Sequence, residues 1–455
     1  MTEVEQLAAF VRRASWESIS ERAREALKVR VLDSLGCAFG ALGGEPTLAV
    51  RRVVDELGGN ELSTLIGGGR TAPDRAAFYN GALVRYLDYN DVYLAPGESF
   101  HPSDNFAPVL AAAEFAGADG KRLLTALAVA YQVQIRLSEE APVRARGFDH
   151  VTQGTFAAAA GVAKALDLDS ERTANGIAIS GTAHNSLRVT RTGQLSNWKG
   201  LAYPEVDRNA VHSVFLARAG VTGPLEVFEG VKGWKDIIAG PFQIDWSRED
   251  LEKVMGTDLK KYNSEAHAQS AIEALLDLMQ REHLSGPEID AIQVETFDVG
   301  FLIIGGGAEG DKKQGVQTKE QADHSLPYIL AVAALDGQVL PPQYAPERIV
   351  REDVQSLLRR VTVVQSEEFS RRFPAEMCTR LIVITNDGRQ FVAERSDYEG
   401  YHTRPMPWPA VVSKFDYLAT PWVDAQTRAQ IVDVVANLDQ AKVTDLTQLI
   451  ARARK

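Results

Sequence analysis

The stretch SERAREALKVRVLDSLGCAFGAL, residues 20–42, sets the reading of the fold. Its apolar side chains at Ala23, Ala26, Leu27, Val31, Leu32, Leu35 and Phe39 recur at the three-to-four spacing of one helix face, with Ser18 and Ser20 as candidate caps. Working outward, Leu48 to Leu57 repeats the pattern and stops at Gly58-Gly59. Ala72-Pro73-Asp74 opens a helix that runs toward Tyr89, and further helices are predicted over 105–116, 120–139, 153–166, 169–183 and 207–219. Their faces are rich in Ala and Gly, as in Ala157-Ala158-Ala159-Ala160-Gly161, and such small residues let helices pack closely.

The pattern changes after about residue 255. Residues 266–280 still read as a helix, but Ile289 to Phe297 alternates as a half-buried strand and Val361 to Val364 reads as another. Leu381 to Thr385 and Gln390 to Glu394 flank Asn386-Asp387-Gly388, a hairpin signal. Helices are predicted at 325–336 and 351–359, then again at 408–418, 424–437 and 443–453. The fold class is therefore mainly α: residues 1–256 and 400–455 read as all-helical and residues 257–399 as a smaller α+β domain between them, which becomes an insertion if the C-terminal helices return to the first domain to complete one large helical domain. A chain of 455 residues suits two or three domains at roughly 150 residues each.

Composition excludes several classes. The chain is 45% hydrophobic and 24% charged, as ordinary globular proteins are, which rules out disorder and coiled coil. Its net charge of −12 argues against broad nucleic-acid or membrane-surface binding, which wants a basic face, but not against a small anion in a local cationic pocket. The start Met1-Thr2-Glu3-Val4-Glu5 lacks the basic and apolar regions of a signal peptide, and the distant Cys37 and Cys378 suit buried thiols in a reducing compartment. No uncharged apolar run reaches the length of a membrane span. A cytoplasmic protein is expected.

Familiar catalytic motifs are absent. The glycines of Gly305-Gly306-Gly307-Ala308-Glu309-Gly310 precede a polar Asp311-Lys312-Lys313 rather than a helix, so they read as a surface loop and not as a phosphate cradle. Ile66-Gly67-Gly68-Gly69 reads as a turn before a new helix. The eight histidines show no zincin spacing and the cysteines no cluster, so no metal is expected. Asp88 and Asp91 read as a solvated helix terminus more readily than as a cation site. What remains are polar and cationic residues where helices begin: Phe100-His101-Pro102-Ser103-Asp104, Gly147-Phe148-Asp149-His150, Arg188 to Arg191, and Asn197-Trp198-Lys199-Gly200. Helix N-termini combined with cations make an anion site.

Together these segments resemble the MmgE/PrpD family, which includes 2-methylcitrate dehydratases and cis-aconitate decarboxylases. The resemblance runs through Leu32-Asp33-Ser34-Leu35-Gly36-Cys37, Asn80-Gly81-Ala82, Leu87-Asp88-Tyr89-Asn90-Asp91, His101-Pro102-Ser103, Gly147 to His150, Lys199-Gly200, Lys260-Lys261-Tyr262, Ala322 to Tyr328 and Asp387-Gly388. It implies a helical domain with an inserted α+β lid, a homodimer and no cofactor. The site residues it implies are Asp91, His101, His150, Lys199, Lys260 or Lys261, His267 and Tyr328. Decarboxylase members resemble Lys-x-Phe-Pro-x-His, with His where this chain has Glu265. Dehydratases resemble Phe-Pro-Ala-Glu-Phe-His-Ala-Gln, and the chain keeps Glu265-Ala266-His267-Ala268-Gln269, departing at Asn263, where proline is usual.

The expected activity is a cofactor-independent dehydration of 2-methylcitrate or a similar tricarboxylate. The reaction takes a proton from beside a carboxylate and expels hydroxide, so it needs a base, an acid and cations. His101 and His150 are the expected acid/base pair, Lys199 a carboxylate ligand or proton donor, Tyr328 a hydrogen-bond donor and Asp91 the group that orients a His or Lys. Lys260, Lys261, His267, Arg188 and Arg191 are expected to bind the small anionic carboxylate substrate. The alternatives are a decarboxylase or an epimerase of a small di- or tricarboxylate, and a non-catalytic carboxylate-binding protein.

Overall fold

The computed structural model describes residues 1–95, 97–192, 195–307 and 313–452. Ala308 to Lys312 of the glycine-rich stretch and the last residues of the helix predicted over 443–453 lie outside these. The chain divides into two compact units, Met1–Thr257 with Pro407–Lys455, and Asp258–Met406.

The first unit is built on the predicted helices. Glu21–Gly40, Glu45–Leu57, Pro73–Tyr86, Phe106–Phe115, Gly120–Glu140, Val151–Ala165 and Ser170–Ala183 stand where the apolar periodicity put them. Helix Val151–Ala165 is central. Only Lys164 of its side chains escapes burial, and it packs against Gly120–Glu140, Ser170–Ala183 and Trp198–Arg218. Its small residues permit this: a Cβ on Gly161 would lie 2.7 Å from Val109 Cγ2, and one on Gly154 2.6 Å from the Tyr203 ring.

Three features depart from the reading above. Helix Glu3–Arg13, capped by Thr2 and Glu5, adds to the set. Helix Trp198–Arg218 begins nine residues before the predicted 207 because it carries Pro204 in its interior. The unit is also not all helical, since Ser63–Thr64 pairs with Arg70–Thr71 and Tyr93–Ala95 with Glu98–Phe100. The turn of the first ladder is Gly67-Gly68-Gly69, all at positive φ.

The C-terminal segment completes this unit. Helix Trp408–Ala419 lies on Glu21–Gly40 so closely that a Cβ on Gly36 would come 3.2 Å from Phe415 Cα. Lys414 reaches Asp33 at 2.7 Å and donates to the main-chain carbonyl of Tyr89 at 2.7 Å. Farther on, Gly120 donates to the carbonyl of Ala441.

The second unit is a four-stranded mixed sheet in the order Val361–Gln365, Ile289–Thr296, Thr379–Thr385, Gln390–Arg395. The first pair is parallel, and the hairpin turns at Gly388, φ +85°. Strand Thr379–Thr385 buries alternate residues, and its inner face shares a core with helices Gln269–Arg281 and Leu326–Asp336. The unit extends past residue 400 because Leu259 donates to the Gly400 carbonyl and Asp258 accepts from the main chain of His402. Gly305 is buried against Val363 rather than free in a surface loop. Cys37 and Cys378 are both buried thiols. Among the described residues no helix is long and apolar enough to cross a membrane.

A Cβ on Gly120 would sit 1.7 Å from the Leu438 carbonyl oxygen, a main-chain atom that cannot rotate away. Gly120→Ala is therefore expected to cost about 3 kcal/mol in urea unfolding. Gly200→Ala, in a helix with open space around it, is expected to be neutral or to stabilise by up to about 1 kcal/mol.

Candidate active site

In the first unit the site forms where the chain leaves one helix and enters three others. Helix Pro73–Tyr86 ends, and Asp88 takes φ +54°, a left-handed conformation that Asp tolerates better than most residues. The short ladder Tyr93–Ala95 with Glu98–Phe100 then delivers His101 to the turn before helix Phe106–Phe115. His150 caps helix Val151–Ala165, and Lys199 lies in the first turn of Trp198–Arg218. The structure thus brings His101, His150 and Lys199 to helix mouths, as the sequence suggests.

Asp88 is the hub. Its carboxylate lies 3.0 Å from Arg85 Nη1, 3.5 Å from Lys199 Nζ and 3.6 Å from His101 Nε2. All four residues are buried, so Asp88 and its partner Asp91 are no solvated terminus. His101 Nδ1 donates to the main-chain carbonyl of Asp91 at 2.6 Å, which turns Nε2 toward Asp88. The Asp91 side chain does not orient a His or Lys. It accepts from Ser103 N–H at 2.9 Å and Tyr131 O–H at 2.8 Å, and burial raises its carboxyl.

His150 lies 6.3 Å from His101, ring centroid to centroid. Its Nδ1 is 2.9 Å from Asp149 Oδ1. Asp149 also accepts from Arg191 Nε at 2.7 Å and Thr190 Oγ1 at 2.6 Å. Burial opposes the charge on Asp149, but Arg191 and His150 outweigh it and hold the carboxyl well below its usual range. Asp149 is thus a fixed anion, His150 Nδ1–H donates to it, and the buried Nε2 has no hydrogen-bond partner among the described residues. Burial pushes His150 down to about 4, against the pull of Asp149. The imidazole is neutral at ordinary pH with its lone pair available.

Arg191 belongs to Asp149, although its Nη2 is buried without a partner. Arg188, on the same turn, is half-buried and forms no ion pair among the described residues. Burial first, then Arg144, lowers it to about 10, which marks local excess positive charge.

The second unit holds its own cluster. Glu265 accepts from the main chain of His267 at 2.7 Å and faces its Nδ1 at 2.8 Å. Burial resists the Glu265 charge, yet His267, His324 and Lys260 hold it at about 2. His267 packs against the stacked rings of Phe297 and Phe373, with Nε2 buried and without a hydrogen-bond partner among the described residues. Nearby, Asp323 joins His324 at 2.6 Å and Lys319 at 2.9 Å.

Two expected site residues of this unit serve its structure instead. Lys261 pairs with Glu273 at 3.1 Å and Glu399 at 2.8 Å. The Tyr328 hydroxyl donates to the main-chain carbonyl of Gln343. Sequence reasoning missed Asp88 as a site residue, together with Arg85 and His324. The Arg85-x-x-Asp88 spacing, which brings opposite charges together at a helix end, is the signal that would have found the first pair.

Both halves of the chain match models of one family. The MmgE/PrpD N-terminal domain matches residues 5–247, and the MmgE/PrpD C-terminal domain matches residues 262–440. The 2-methylcitrate dehydratase of Cupriavidus necator is 28% identical over 448 residues, 91% of this chain and 89% of that protein. That of Escherichia coli strain K12 is 26% identical over 466 residues, 95% of this chain and 93% of that protein. The cis-aconitate decarboxylase of Mus musculus is 25% identical over 453 residues, 93% of this chain and 88% of that protein. With matching domains in both halves, the chain belongs to the MmgE/PrpD family.

Proposed function

We propose that this protein dehydrates 2-methylcitrate, or a tricarboxylate close to it, by acid/base elimination. The chain is a lyase, the class that dehydration and decarboxylation share. One observation carries the finer reading: the buried Nε2 of His150 has no hydrogen-bond partner among the described residues, while Nδ1 faces Asp149 and the ring lies 6.3 Å from that of His101. A carbon acid next to a carboxylate needs a base that is unprotonated before substrate arrives, and His150 supplies one. The Glu265-Ala266-His267-Ala268-Gln269 spelling, where decarboxylases resemble Lys-x-Phe-Pro-x-His, supports dehydration over decarboxylation.

In this mechanism His150 Nε2 takes the proton, and Asp149 stabilises the imidazolium that forms. The electron pair of the broken C–H bond becomes the new double bond as the C–O bond breaks. His101 or Lys199, each beside Asp88, gives its proton to the departing hydroxyl, which leaves as water. Arg188 and the cations around Asp88 balance the carboxylates. The negative charge that builds on the carboxylate next to the reacting carbon meets fixed positive charge at helix N-termini, with little reorganisation.

Purified protein incubated with 2-methylcitrate, citrate and cis-aconitate, and followed by mass spectrometry and NMR, is expected to lose water from 2-methylcitrate. Loss of carbon dioxide from cis-aconitate alone would replace this reading with the decarboxylase one. His150→Gln is expected to lower kcat roughly 100-fold or more with KM little changed, as removal of a general base does. Lys199→Ala is expected to raise KM or abolish turnover, and full activity in it would take Lys199 out of the site.

A further check needs no substrate. His150 shifts from 6.5 to about 4 on folding, so between these values the unfolded chain binds a proton that the folded one does not. Its contribution to stability is present above pH 6.5 and is lost as pH falls toward 4. In His150→Gln the fall in stability over that window is expected to be shallower, as measured by urea unfolding at several pH values.

A further inference from the structure

Behind Asp88 stands a second carboxylate that the mechanism above does not use. Asp104 is fully buried, and its Oδ2 has no hydrogen-bond partner among the described residues. Its Oδ1 accepts from Asn90 Nδ2 at 2.9 Å, and its Oδ2 lies 3.7 Å from Arg85 Nε. The same guanidinium meets Asp88 at 3.0 Å through Nη1. Arg85 is buried too, so one cation is shared by two carboxylates in a place where water screens little. Only Asp88 goes on to Lys199 and His101.

We infer that Asp104 is a positioning residue: through the Arg85 guanidinium that the two carboxylates share, it sets how strongly Asp88 holds His101 and Lys199. The inference rests on the proposed acid role of that pair. When Asp104 is ionised it draws on Arg85, so Asp88 keeps more of its charge for the imidazolium and the ammonium. When Asp104 is neutral, Arg85 no longer divides its charge between the two carboxylates, and the hold of Asp88 on both proton donors weakens. The groups that face Asp104 are Arg85 from helix Pro73–Tyr86, Asn90 and Asp91 from the loop beyond it, Arg191 from the neighbouring turn, and Tyr203 and Asp207 from helix Trp198–Arg218. Burial raises Asp104 to about 7, against the pull of Arg85, so the switch falls near neutrality. Asp207 is raised well above its usual range by burial and by Asp104 itself, which leaves it neutral and keeps the titration with Asp104.

The test is the titration of His101, read by NMR on histidine-labelled protein in wild type and in Asp104→Asn. The amide is isosteric and keeps an oxygen for Asn90. Both the lost charge and the freed Arg85 act in one direction, so the His101 midpoint is expected to fall by ~0.5 unit or more. A midpoint that moves by less than about 0.1 unit would overturn the inference. If Asp104→Asn does not fold, wild-type protein labelled both at histidine and at the Asp side-chain carboxyl carbon decides. The His101 curve should then carry a second inflection at the Asp104 midpoint, and a single inflection sinks the idea. With 2-methylcitrate, Asp104→Asn should lower kcat at least fivefold with KM within about twofold. Wild-type protein inert toward 2-methylcitrate would remove the dehydratase reading and leave the histidine titration to judge Asp104 alone.

Discussion

A carboxylate removed from water survives as an anion only where cations are brought to it, and Asp88 is where this chain does so. Arg85 is supplied from its own helix, Lys199 from a helix more than a hundred residues on, and His101 from the loop that follows. None of these groups is fixed by its own element alone. The residue after Asp88, Tyr89, has its carbonyl held by Lys414, which also pairs with Asp33. The C-terminal helix therefore locks the turn on which Asp88 sits. The return of the chain end to the first unit is a condition of the site as much as of the fold.

The helices were legible because their apolar faces recur at helical spacing, and the site was legible where a cation stands at a helix mouth. Lys199 fits that pattern, and His101 and His150 stand at helix mouths as titratable groups. What stayed hidden depends on burial, which a single sequence does not display. Asp88 and Asp91 look alike in sequence, yet one gathers Arg85, Lys199 and His101 and the other is consumed by Ser103 and Tyr131. Tyr328 and Lys261 carry the right chemistry, but a main-chain carbonyl and two glutamates claim them first. The start of helix Trp198–Arg218 was masked by Pro204, a residue that ordinarily ends helices. Helix Glu3–Arg13 was readable in principle, since Thr2 and Glu5 form a capping box ahead of it.

The same local device occurs in both units. Asp149 precedes His150 by one residue, and Glu265 precedes His267 by two. Each carboxylate is kept ionised despite burial, by Arg191 and His150 in the first case and by His267, His324 and Lys260 in the second. An ionised carboxylate accepts the Nδ1 proton, and each imidazole is left with a buried Nε2 that meets no hydrogen-bond partner. The price is a desolvated polar atom in the resting protein, tolerable only where something polar is to meet it. The two pairs differ in their anchors. Asp149 leans on a guanidinium and a hydroxyl, whereas Glu265 also takes the main-chain N–H of the residue it orients.

That difference bears on which imidazole can accept a proton. A base must gain a charge and lose it again, so the carboxylate behind it has to remain an anion through both states. Asp149 does so with Arg191 as a permanent counter-cation, and burial keeps His150 neutral until an external proton source arrives. In the proposed dehydration an anionic substrate would supply the missing condition, because its negative charge would offset the burial that holds the imidazole neutral. The substrate would then raise the basicity of the group that takes its proton. The pocket need not be basic overall to do this. It needs one lone pair held in a dry place and enough fixed cations nearby that a polycarboxylate can enter, which is how a chain of net charge −12 can accept an anion.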